Sequence, residues 1–471
     1  MRPVLFAAIG LALAAPALAA DAPPLQLTKE QARTVERLIE RALADDTAYR
    51  LTESLTTEVG PRLGGSEAEA RAREWGARQL RSLGFRNVRI ETYEMPAWSR
   101  VSEGASIVSP FPQKLAVTAL GNSVSTPPEG VTAGIVRFET LEALKAAPAT
   151  GLEGKIVFVD EKMTRTQDGS GYGVAVAKRS GAAVEAGKRG AAAAIIRSVG
   201  TDSHRNPHTG NMNYGDVAVK IPTAALSNPD ADQLARALRR SSSVTVNLKL
   251  ATAVEPAASS GNVIGEIKGR TDEIIVIGGH LDSWDLGTGA IDDAAGIGVT
   301  AAAAKLVADT VGKPRRTIRV VMWGAEEVGL HGAKAYAETH KAELGKHVLA
   351  GESDFGAGRI WKFESLFGAG ALAKAALIAT ALKPLGVGPG KNAGSGGADV
   401  SPLKAAGVPV FDLNQDGSDY FDLHHTPDDT FDKIDPAAMK QNVAAWAVTL
   451  YLASELPGGF RDEAAAPAAA Q

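Results

Sequence analysis

The 471-residue chain contains no cysteine. No disulfide can staple it and no thiolate can hold a metal, so a metal site would have to use His, Asp and Glu, which suits hydrolytic better than structural zinc. It also lacks a dominant charge: 50 basic residues stand against 54 acidic ones, a net charge of −4. With the basic side chains scattered, nothing points to nucleic acid or an anionic membrane surface. Beyond the N-terminus no segment reads as long and apolar enough to cross a membrane. What is there is 45% hydrophobic and too long for one ordinary core. Two or three domains and a small-molecule or peptide substrate are expected.

Residues 1–19 combine Arg2, an apolar run from Val4 to Ala15, and Ala17-Leu18-Ala19, the small-x-small pattern of signal cleavage. They predict a signal peptide and an exported protein, periplasmic or secreted, without stable membrane association after cleavage. At the other end, 463–471 reads as a disordered tail.

Residues 28–43 predict a helix opened by Thr28 and Gln31 in capping-box spacing, and Ser66 with Glu69 opens a second that ends at Gly84. Trp75 reads as core, and Val88 to Tyr93 as a strand. From about 115 to 254 short valine-rich strands (134–138, 155–159, 192–196, 244–248) alternate with Gly, Ser and Pro, which marks a separate domain. His204 and His208 lie there, but Pro207 argues against a shared helix face, so a solvated loop is the reading. Residues 255–462 alternate strands at 274–277, 317–323, 346–350 and 408–413 with helices at 293–309, 330–342, 370–383 and 436–454. The fold class is α/β, a mostly parallel mixed sheet sandwiched by helices with an inserted β-rich domain.

The chemistry gathers at strand ends. Ile274-Ile-Val-Ile277 leads through two glycines to His280 and Asp282, and twelve residues after His280 stands Asp292-Asp293 before an Ala-rich helix. Strand 317–323 leads to Glu326-Glu327, strand 346–350 to Glu352-Ser-Asp354, and strand 408–413 to His424-His425. Each alone is most simply a polar turn. Together they put grouped carboxylates and imidazoles on the edge where open α/β sheets bind ligands. Such a cluster repels itself without a cation, and a two-metal site fits it.

Residues 278–296 resemble the signature of the di-zinc aminopeptidase and glutamate carboxypeptidase family, most closely its carboxypeptidase Q (plasma glutamate carboxypeptidase) branch. Further matches are Gly60-Pro-Arg-Leu63, Glu326-Glu327-x-Gly329, Glu352-Ser-Asp354, Gly396-Gly-Ala-Asp-Val-Ser-Pro402, His424-His-Thr426 and, in the middle domain, Pro207-His-Thr-Gly210 and Lys220-Ile-Pro-Thr-Ala224. The resemblance implies the zinc-dependent exopeptidase fold, with 22–114 and 255–462 as two parts of one catalytic domain and 115–254 as a protease-associated insert. It implies two zinc ions: Asp292 bridging, His280 and Asp354 completing one site, Glu327 and His425 the other. His425 is taken over His424 because the family ligand directly precedes Ser or Thr. Glu326 would be the general base, and Asp282 would hydrogen-bond His280 and fix its tautomer.

The implied enzyme is a zinc metallopeptidase, a carboxypeptidase or dipeptidase for short peptides. An aminopeptidase of the same family is the alternative; an ammonium pocket could use Asp285 or Glu352, and no basic residue that would meet a carboxylate is evident. A non-catalytic receptor-like protein and a glutaminyl cyclase fit the intact five-ligand set and the insert less well. Metal content with dipeptide turnover discriminates the first, cyclisation of an N-terminal Gln substrate the second. A homodimer is left open. The loop from His204 to Gly215 is expected to reach over the site.

Overall fold

The computed structural model describes residues 25–462. The readings for 1–19 and 463–471 lie outside the described residues. Helix Lys29–Ala44 opens on Thr28 and Gln31 with both halves of the capping box formed. In helix Glu67–Ser82 only one half forms: Ser66 Oγ accepts from Glu69 N, while the Glu69 carboxylate turns inward to Arg73 and Ser260. Trp75 is buried as expected. An unanticipated helix, Thr47–Glu58, lies between them; its buried face includes Thr52 and Thr56, whose hydroxyls bond their own helix's carbonyls. Threonines in place of aliphatics hid its apolar stripe.

The half that carries the strand-end acidic and histidine residues is built on parallel strands in the order Val410–Gln415, His347–Glu352, Ile274–His280, Thr317–Trp323. Ile360–Leu366, not anticipated from the sequence, pairs antiparallel outside them. Side chains alternate across Ile274–His280: Ile275 and Ile277 join the larger core under the helices, and Ile274 and Val276 a smaller core with Trp323 and Tyr336. A strand buried on both faces shows as an unbroken aliphatic run. Contrary to the sequence reading, the stretch Ala290–Val311 passes by length and composition as long and apolar enough to cross a membrane; its backbone is non-helical at Asp292 and Asp293, and with 72% of its apolar window buried it is a core element of this fold.

Two long strands, Arg86–Ser109 and Thr245–Ile267, pair with each other along nearly their whole length. The far half of Thr245–Ile267 pairs with Thr317–Trp323, and its near half with Val131–Phe138 of the middle region. The sheet therefore runs without a break into Ile156–Val159, Ala193–Arg197 and Thr223–Leu226. The division drawn at 254/255 falls inside a strand.

Candidate functional site

His280 closes its strand level with Trp323, and Glu352 closes the next strand opposite Gly278, two residues short of them, so three parallel strands end on the same edge. Past Trp323 the chain turns through Ala325 at φ +54° and presents Glu326 and Glu327. Their backbone N–H groups donate to Asp282, Glu326 N to Oδ1 at 2.9 Å and Glu327 N to Oδ2 at 3.3 Å. This corrects the expectation for Asp282. Its carboxylate lies 3.8 Å from His280 Nδ1, beyond hydrogen-bond reach, and it is the Asp282 backbone carbonyl that accepts from Nδ1 at 2.9 Å. The carboxylate is occupied because two backbone donors in the tight acidic turn would otherwise be buried unpaired.

Asp292 is the centre of the cluster. Its Oδ1 lies 2.8 Å from His280 Nε2, which is itself 3.4 Å from Asp354 Oδ1. Its Oδ2 lies 3.3 Å from His425 Nε2, which is 3.0 Å from Glu327 Oε2. The five residues singled out from the sequence thus form two groups sharing one carboxylate. His424 stacks on His425 with ring centroids 3.5 Å apart and reaches Asp292 Oδ2 at 3.6 Å. Two trios, His280–Asp292–Asp354 and Asp292–His424–His425, have ligand atoms all within 4.8 Å of one another.

Burial disfavours the charged form of every group here, and the neighbours decide the outcome. Burial opposes a His280 imidazolium, but Asp354 and Asp292 hold its pKa well above the usual value. Burial likewise opposes Asp292 ionisation, yet the His280 and His425 imidazoles hold it well below the carboxylate range. Glu326 and Glu327 are pushed well up, first by burial and then by surrounding carboxylates. Burial lowers His425, leaving a neutral imidazole suited to metal ligation. Asp292 Oδ2 and Glu327 Oε1 are buried and accept no hydrogen bond. Five N/O donors converging around such acceptors fit a pair of divalent cations.

A cavity of about 380 Å³ opens beside the cluster, lined among others by Glu326, Asp354, Phe355 and Tyr420 and, from the middle region, by Arg179 and Asn211. The loop after His204 does reach the site, but not as a solvated lid. His204 is exposed, whereas His208 is 1% exposed, with Nε2 2.7 Å from Asp202 Oδ1 and Nδ1 2.6 Å from the His424 carbonyl. Thr209 N donates to the His425 carbonyl at 3.1 Å. The polar composition suggested solvent; these groups are buried because they pair with the His424-His425 segment.

Residues 262–450 match the model of peptidase family M28. The chain is 35% identical to carboxypeptidase Q of Bos taurus over 90% of this chain and 89% of that protein. The chain belongs to peptidase family M28. The solved structure of a peptidase M28 precursor from Shewanella amazonensis superposes with a TM-score of 0.89 at 49% identity, covering 92% of this chain and 98% of that one. A zinc aminopeptidase of Bacillus subtilis shares the fold, with a TM-score of 0.64 at 21% identity over 87% of this chain and 95% of its own. The resemblance read from 278–296 and the metallopeptidase class it implied are borne out, and peptides are the substrates.

Sequence reasoning missed several residues that shape this M28 site. Arg62 is fully buried and donates to four backbone carbonyls: Leu281, Thr288, Gly289 and Gly60. It thereby pins the loop between His280 and Asp292 from both ends. Asp429 Oδ1 accepts from Ala290 N and Ile291 N, both at 2.7 Å, just ahead of Asp292. Asp293 accepts from His280 N and Gly296 N, joining strand end to helix start. The Gly60-Pro-Arg-Leu63 match was the one signal for Arg62; Asp429 had none.

Proposed function

We propose that this peptidase is an exported di-zinc exopeptidase acting on dipeptides or other short peptides, with carboxypeptidase or dipeptidase action. Asp292 would bridge two zinc ions, His280 and Asp354 completing one site and Glu327 and His425 the other. The observation that carries this reading is the division of Asp292, one oxygen facing each group of donors. A His, Asp and Glu donor set without thiolates suits catalytic zinc. The name of the bovine relative supports attack from the carboxyl terminus.

Bound there, the cations supply Lewis acidity towards a water and the scissile carbonyl. Glu326 takes the water's proton as the carbonyl is attacked. It then returns that proton to the leaving amine, so the C–N bond breaks without expelling an amide anion. Asp282 holds Glu326 and Glu327 by their backbones, which keeps the base beside the ligand. Residues 115–254 are assigned as the protease-associated insert, and residues 1–19 as the export signal.

Asp292→Asn tests the reading. Zinc content should fall from two ions per chain, and dipeptide hydrolysis should fall with it. A variant retaining two zinc ions and full turnover overturns the bridge.

A further inference from the structure

Arg179, at the start of helix Lys178–Lys188 in the middle region, is 4% exposed and lines the cavity beside the donor cluster. Other buried arginines have their charge answered. Arg73 pairs with Glu69, Arg100 with Glu103 and Asp285, Arg197 with Asp160 and Asp232, and Arg319 with Glu266 and Glu343. Arg62 is satisfied by four carbonyls. Arg179 makes no ion pair with an Asp or Glu of the described residues: Nη1 donates to Tyr172 Oη at 2.7 Å, and Nε has no acceptor.

The remaining contact, Nη2 at 3.3 Å from His425 Nδ1, does not answer the charge. That Nδ1 also faces the Thr209 carbonyl at 3.2 Å, so its hydrogen points there and Nη2 meets a donor. A buried guanidinium in this state is costly unless an anion joins it. The backbone makes room for it: a Cβ on Gly210 would lie 2.3 Å from the guanidinium carbon.

The geometry points to Arg179 as the residue that binds the free α-carboxylate of the substrate, fixing attack one residue from the carboxyl terminus. This rests on the peptidase reading above. Among the described residues, Arg179 is the one Lys or Arg lining the cavity. Of the two carboxylates that the sequence offered for a substrate ammonium, Asp285 takes Arg100 on both oxygens at 2.9 and 3.1 Å, and Glu352 does not line the cavity. A terminal carboxylate lies one residue, roughly 3.5 Å of chain, beyond the scissile carbonyl. The guanidinium lies against the outer nitrogen of His425, whose inner nitrogen faces Glu327 and Asp292, and so borders the donor cluster on the side of the middle region. Guanidinium and carboxylate also match in geometry, which a lysine would not reproduce.

The test is calorimetry on the zinc-loaded full-length protein with a non-hydrolysable reduced-amide dipeptide, offered as the free acid and as the C-terminal amide. The wild type should bind the acid roughly 10²-fold more tightly, the usual scale for a desolvated charge pair. Arg179→Gln should abolish that preference by weakening the acid alone, and Arg179→Lys should keep part of it. In turnover, Arg179→Gln should raise KM for free dipeptides far more than it lowers kcat. Equal binding of acid and amide by the wild type overturns the assignment without any variant. Equal weakening of both ligands by Arg179→Gln also overturns it, since that is what a role confined to holding His425 predicts. Acid preference without dipeptide turnover leaves the anion site standing and removes the peptidase reading.

Discussion

His425 Nδ1 donates to the backbone carbonyl of Thr209 at 3.2 Å, across 216 residues of sequence. With the Thr209 N–H returning a bond to the His425 carbonyl, the middle region grips this histidine at ring and backbone. Partners behind a metal-ligating imidazole fix its tautomer and orientation. The middle region therefore braces the donor cluster through His425 and is more than a cover over it.

Replacing 204–210 with a Gly/Ser linker should loosen His425 and weaken zinc binding on the Glu327 side roughly 10- to 100-fold, as loss of such partners does elsewhere. Competition against a chelator measures it. Unchanged affinity for both ions, with only KM altered, would return the loop to the role of a lid.

Glu326 and Glu327 are adjacent but differently placed, Glu327 3.0 Å from His425 Nε2 and Glu326 facing the cavity. Glu326→Gln should leave zinc content intact and lower kcat roughly 10²- to 10⁴-fold, the range for loss of a general base. Glu327→Gln should instead lose metal. The opposite pattern would mean the two roles are exchanged.

Glu69 gives a pH dependence of stability. Burial raises its pKa from 4.5 to about 7, despite Arg73 at 3.2 Å. Between these values the unfolded chain releases a proton that the folded chain keeps. The stability contributed by this group is thus full below about pH 4.5 and is lost as pH rises through about 7, an effect of order 3 kcal/mol. Glu69→Gln should flatten the stability profile in that window, as urea midpoints at several pH values would reveal. A parallel profile in the variant would refute the assignment.

The catalytic strands were legible because their signals are local: an aliphatic run buried on both faces, a glycine turn, then a ligand. The segments that carry His280, Asp292, Glu326-Glu327, Glu352-Ser-Asp354 and His424-His425 could be named because each stands past such a run or at the helix start that follows, while the choice of Glu327, Asp354 and His425 within them came from the family resemblance. Arg62, His208, Thr209 and Arg179 act through contacts spanning tens to hundreds of residues, which periodicity does not record. Asp282 was placed correctly near the site but assigned the wrong partner, since sequence does not distinguish a side-chain acceptor from the carbonyl of the same residue. The long strands were cut short in the reading because the bulged pairing at Met95/Ala97 and Arg100/Ser102 interrupts their alternation.

The ribbon of Arg86–Ser109 and Thr245–Ile267 has a mechanical consequence. A region tethered by two flexible linkers can swing on a hinge, but one continued through hydrogen-bonded β-structure moves only by twisting or bending that structure. Substrate entry is then governed by side chains and loop tips around the cavity, and the two halves of the chain should melt together in a single cooperative transition.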